Sequence, residues 1–233
     1  MIGRKAAVSS AARLAVAAVL ALAAACQAGP VDKGGRRVQL SEWKAIDVAD
    51  VDLDLPLLVP ARVTAVQYQN RDNQINHHRM ELDGGKGTLV TEHFSTAWYS
   101  DATEGRMGDI AVFKAALARR FERSFANFGE IREITHSRRK AIGFAADVTI
   151  TDPGRGKCFF AIAAYRLKER TGYGNGPGNV DTVVTLGYCD VDGNIPDFSR
   201  ALANVDVVAD RAAFAAALAE KRAGEASQYS GRP

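Results

Sequence analysis

Lys157-Cys158-Phe159-Phe160-Ala161-Ile162-Ala163-Ala164-Tyr165-Arg166-Leu167 and, further along, Asp181-Thr182-Val183-Val184-Thr185-Leu186-Gly187-Tyr188-Cys189-Asp190 read as two β-strands. Both runs are rich in aromatic and β-branched residues and are bounded by turn formers. Between them lies Thr171-Gly172-Tyr173-Gly174-Asn175-Gly176-Pro177-Gly178-Asn179, a loop of residues that tolerate tight turns. A hairpin centred on that loop sets Cys158 and Cys189 almost opposite each other. Cross-strand neighbours lie about 4.5–5.5 Å apart, within reach of a disulfide. The two thiols are therefore expected to be bonded, or else to be buried and free, according to the compartment.

Working outward, Glu130 to Thr135 and Ala141 to Asp152 read as two more strands, the second followed by the turn Asp152-Pro153-Gly154-Arg155-Gly156. Short links between successive strands favour an antiparallel meander. Upstream, Ile110, Phe113, Leu117, Phe121, Phe125 and Phe128 recur at three- and four-residue steps, predicting one long amphipathic helix over Asp109 to Phe128. Asp109 suits its N-cap and Gly129 its end. The phenylalanine stripe fits a face packed on a sheet better than an open groove. Ile75 to Leu82 and Thr88 to Tyr99 flank Asp83-Gly84-Gly85-Lys86-Gly87, a hairpin signal. A five-residue loop there would put Met80, Leu82, Val90, Phe94 and Trp98 on the buried face. Ala61 to Tyr68 reads as a strand, and so does Asp50 to Leu55, where Val51, Leu53 and Leu55 alternate with acids. A short helix near Phe198 to Ala203 and a longer one over Asp210 to Arg222 follow the last strand. The sum is an α+β fold over residues 41–223, an antiparallel meander packed against one long amphipathic helix and a C-terminal helix. Residues 224–233 read as a disordered polar tail.

The N-terminus carries an address. Arg4, Lys5 and Arg13 precede an apolar run from Leu14 to Leu22, and Ala23, Ala24 and Ala25 lead into Cys26. That run is too short for a hydrocarbon core about 30 Å thick, which takes roughly 20 residues in a helix. Residues 1–25 therefore read as a signal peptide. Leu22-Ala23-Ala24-Ala25-Cys26 resembles a bacterial lipobox, although Leu22 stands one place further from the cysteine than the pattern usually has it. The resemblance implies a diacylglyceryl group on Cys26 and a protein held at the membrane by that lipid, facing the periplasm. Gln27, where inner-membrane lipoproteins typically have Asp, implies the outer membrane. Ordinary cleavage after Ala25 is the alternative. Residues 26–40, with Gly29, Pro30, Gly34 and Gly35, read as a flexible tether. An oxidising compartment decides for the Cys158–Cys189 disulfide. The order of elements from Thr88 to Arg222 is also similar to that of PsbP-like envelope proteins, a resemblance of fold alone.

Charge narrows the partners. The three basic residues before Cys26 account for the whole formal charge of +3, so the chain beyond them is near neutral. It lacks the positive field that sequence-independent nucleic-acid binding needs. No nucleophile motif stands out, and no cofactor is expected. The glycine loop at Gly172 to Gly178 is followed by a strand, so it does not aim a helix N-terminus at a phosphate. Asp190-Val191-Asp192-Gly193-Asn194 has Ile195 and Ala201 where a calcium loop needs Gly and Glu. Histidines are the remaining candidates. A five-residue hairpin loop sets His77 opposite His93, a possible pair of metal ligands, with Glu81 on the same face; the alternative is polar residues on a solvated sheet face. The reading that results is a non-enzymatic envelope lipoprotein whose domain binds an envelope protein or a small ligand. A small envelope hydrolase or metal-binding protein built on His77 and His93 is the rival.

Overall fold

The structure, a computed structural model, describes residues 39–56, 58, 62–72, 75–94, 101–121, 126–151, 156–168 and 180–230. The signal, Cys26, the tether through residue 38, Trp98, Phe125 and the Gly172 to Gly178 loop lie outside the described residues. The unit from Ser41 onward carries the fold. Its elements in chain order are β1 (Lys44–Ala45), a 3-10 turn (Val48–Asp50), β2 (Leu53–Asp54), β3 (Val63–Arg71), β4 (Ile75–Leu82) and β5 (Gly87–Phe94). There follow α1 (Asp101–Met107), α2 (Ile110–Phe121), β6 (Ala126–Glu133), β7 (Lys140–Ile150), β8 (Lys157–Arg166) and β9 (Thr182–Asp190). The last are α3 (Phe198–Leu202), β10 (Asp206–Val207) and α4 (Arg211–Ser230).

Eight strands form one antiparallel sheet in the order β1-β3-β4-β5-β9-β8-β7-β6. Two up-and-down runs, β3 to β5 and β6 to β9, meet where β9 pairs with β5. After β5 the chain runs through α1 and α2 to the far edge before it returns strand by strand. A single meander would have set β6 beside β5.

Three expectations change. The predicted Asp109–Phe128 helix stops at Phe121 among the described residues, and Phe128 belongs to β6, opposite Val148 and 47% exposed. Gly129 lies at a register shift of β6, where a Cβ would come 3.0 Å from the Asp147 carbonyl oxygen. It marks a bulge rather than a helix end. The hairpin between β4 and β5 pairs Leu82 with Gly87, so its loop holds four residues and not five. Gly87 is a strand residue: a Cβ there would meet Tyr188 Cδ2 at 2.6 Å and the Gly187 carbonyl oxygen at 2.9 Å. The one-residue slip turns Val90 and Phe94 to the opposite face and buries Leu89 with Met80 and Leu82. Finally, α4 continues to Ser230 through most of the stretch expected as a tail.

The sheet has a face that is covered and a face that is covered in part. On the first, Val51, Leu53, Leu55 and Leu58 join Phe198, Leu202, Phe214 and Leu218 over Met80, Leu89, Leu186 and Tyr188. Each such side chain contributes about 1.5–3 kcal/mol of burial. The Asp50 to Leu55 alternation thus does its packing as predicted, although only Leu53 and Asp54 pair as strand, with β10. On the second face, Phe113, Leu117 and Phe121 of α2 pack on Phe144, Val148 and Phe160. Asp109 caps α2 through the Ala111 N–H, which donates to Oδ1 at 2.8 Å. No helix among the described residues is long and apolar enough to cross a membrane.

Candidate functional site

Cys158 and Cys189 are direct register partners on β8 and β9, and the two form a disulfide with Cα atoms 4.0 Å apart. The bond ties β9, the strand of the second run that pairs with β5, to its neighbour β8.

The histidines fall differently from the expectation. His77 pairs with Glu92, its Nδ1 3.8 Å from Oε1, whereas His93 pairs with Asn76. Successive strand residues point to opposite faces, so His77 and His93 lie on opposite sides of the sheet and cannot share a metal ion. Among the described residues no group of three or more His, Cys, Asp or Glu could hold one. His136 braces a turn. Its Nδ1 accepts from the N–H groups of Arg138 and Arg139, so Nε2 carries the proton and donates to the Val205 carbonyl at 2.7 Å.

On the covered face the same register collects a polar cluster at one end of an apolar layer. His78 is opposite Thr91, and His93 is opposite Thr182. The Thr182 hydroxyl donates to Asp181 Oδ1 at 2.6 Å, so its oxygen must accept the 2.8 Å bond from His93 Nδ1. The proton of neutral His93 therefore sits on Nδ1. Asp181, fully buried, also accepts from the N–H groups of Leu167 and Lys168. Alongside, Asn76 donates to Asp52 at 2.5 Å and Arg211 donates to the other Asp52 oxygen at 2.9 Å, fastening the start of α4 to the cluster. Burial pushes His78 down to about 4, with Asp52 opposing and Arg211 and His93 reinforcing the shift. His93 is lowered by burial and by the Lys168 charge, and Lys168 is itself lowered by burial. His78 Nδ1, Thr91 Oγ1 and Lys168 Nζ are buried without hydrogen-bond partners. Two neutral imidazoles so held can accept a proton or a hydrogen bond.

The partly covered face carries a groove of about 400 Å³. It crosses β4, β5 and β9 beside α2, with Trp43, Val90 and Phe160 as apolar walls, Arg79 and Arg120 as charges, and Gly187 lining it from β9. His77 lines it too, with its buried Nε2 unpartnered. A second cavity of about 390 Å³ shares Arg79 and Thr88 with it and is lined by Gln67 and Glu81. Volumes of this order suit small ligands.

Sequence reasoning singled out His77 and His93 but placed them together, and it passed over Trp43, Arg79, Arg120, Gly187 and the Asp181–Thr182 pair. For His78 a signal existed: it is in phase with Met80 and Leu82, two of the most buried residues of the strand. No protein-family model, no curated protein and no solved structure matches this chain, so groove and cluster are read from its own residues.

Proposed function

We propose that the chain is an exported bacterial envelope lipoprotein, anchored through a diacylglyceryl group on Cys26 at the periplasmic face of the outer membrane, with a domain that binds through its partly covered sheet face. The observation that carries the binding half is the groove between Trp43, Val90, Phe160 and two arginines on the partly covered sheet face. The anchor half rests on the lipobox-like Leu22 to Cys26 run and is supported by the disulfide, which suits an oxidising compartment. The PsbP-like order of elements belongs to the same proposal, as a kinship of fold only.

Mass spectrometry of the mature N-terminus, on wild type and Cys26→Ala expressed in a bacterial host, tests the anchor. A diacylglyceryl-modified Cys26 that is absent from the variant supports it. An unmodified N-terminus at or after Cys26 makes the protein a freely diffusing one. A hydrolase reading has the His93–Thr182–Asp181 chain in its favour, but the Thr182 proton is committed to Asp181, so His93 does not activate that hydroxyl as a nucleophile.

A further inference from the structure

We infer that the groove on the partly covered face binds a singly charged amphipathic anion, an acyl monocarboxylate, with its headgroup on Arg79 and Arg120 and its chain along Trp43, Val90 and Phe160. The inference rests on the binding reading above and names the ligand class of that site.

Charge argues first. Arg79 and Arg120 both line the groove, and neither makes an ion pair among the described residues. Guanidinium groups present planar forks of donors that match a carboxylate. Carboxylates of the protein limit how much negative charge the ligand brings. Glu81 lines the adjoining cavity and Glu92 flanks His77, which favours a monoanion over a phosphate dianion. His77 Nε2, buried on the same wall without a partner, gives a second polar contact for the headgroup or for a water bound to it. The rest of the groove asks for an apolar chain: Trp43 is 44% exposed on a surface where most large apolar side chains are buried. Gly187 leaves space beside the charges, since a Cβ there would stand 3.8 Å from both Arg120 Nε and Phe160 Cδ2, an ordinary contact. The atoms nearest that Cβ belong to side chains and not to backbone, so a larger side chain at 187 would take up groove volume.

The test is isothermal titration of the purified chain with sodium decanoate, and with decanol and decyltrimethylammonium as uncharged and cationic counterparts. Wild type is expected to prefer decanoate over decanol by tenfold or more and to ignore the cation. Across hexanoate, octanoate and decanoate, affinity rises by roughly fourfold per methylene. Gly187→Leu should weaken decanoate at least tenfold. Arg79→Gln with Arg120→Gln should abolish the preference for the acid while decanol still binds, a result that does not depend on Gly187→Leu folding well. Equal affinity for acid and alcohol, no binding of decanoate, or binding that neither variant changes overturns the inference. Those results leave the anchor reading standing, because that reading turns on Cys26.

Discussion

The two faces of one sheet are made by alternate residues of the same strands, yet they end up with different work. On the covered face Met80, Leu82, Leu89, Leu186 and Tyr188 meet a full layer of apolar partners, and the polar residues gather at one end, where Asn76, His93, Thr182 and Asp181 are hydrogen-bonded while His78 Nδ1 and Thr91 Oγ1 are not. On the other face α2 covers Phe144, Val148 and Phe160, while Arg79, Val90 and Thr185 line a groove beside it. The difference is set by one residue of hairpin register. Pairing Leu82 with Gly87 sends Leu89, Thr91 and His93 inward and leaves Val90 and Glu92 on the groove side. A slip by one would exchange the two sets and place a glutamate in the apolar layer.

The comparison can be broken from several sides. A large effect is expected at the disulfide, which joins β8 to β9 on the partly covered face, beside the residues that α2 packs on. Cys158→Ser with Cys189→Ser should cost about 3–4 kcal/mol in the chain-entropy account. Urea denaturation of the oxidised protein and the double variant checks it; equal midpoints would show that the bond does not stabilise the fold.

Acid should damage the covered face next. His78 in the native protein titrates near 4 rather than at the ordinary 6.5, so the unfolded chain takes up its proton first. Stability from its burial is fully present above pH 6.5 and falls as pH drops towards 4, by roughly 3 kcal/mol from this group. His77 and His93 are lowered as well and add in the same direction. Denaturation midpoints measured from pH 7.5 to 4.5 should decline, and His78→Phe should flatten the slope. A flat profile in wild type would contradict the burial argument.

Thr182→Val gives a smaller change. It keeps the shape of the side chain but strands His93 Nδ1–H and removes a donor from Asp181, at a cost of about 1–3 kcal/mol. Nitrogen chemical shifts of His93 should also lose the signature of a single tautomer. Wild-type stability with an unchanged His93 spectrum would remove Thr182 from the network.

Much of the frame was legible in the residues. The 157–190 hairpin, with Cys158 facing Cys189, follows from two apolar runs about a turn-rich loop. The burial of Val51, Leu53 and Leu55 follows from strict alternation. What escaped shares a physical cause, because glycine and phenylalanine serve more than one purpose. Gly87 resembles a turn residue, but it is glycine because Tyr188 packs on it. Gly129 resembles a helix end, but it sits at a bulge. Phe128 continues a helical stripe by spacing alone, although it stands on a strand. The groove was illegible for a different reason. Trp43, Arg79, Arg120 and Gly187 come from four separate segments, and only the sheet order brings them to one place.

The register of the β4–β5 hairpin underlies both faces, and a paired substitution reads it directly. Leu89→Ala and Val90→Ala differ by one position and remove side chains of similar size. With Leu89 fully buried and Val90 on the groove wall, urea denaturation should show a loss of about 2–5 kcal/mol for Leu89→Ala and no more than about 1 kcal/mol for Val90→Ala. The reverse order, with Val90→Ala the costly change, would put the wrong residues inward and contradict the account of both faces.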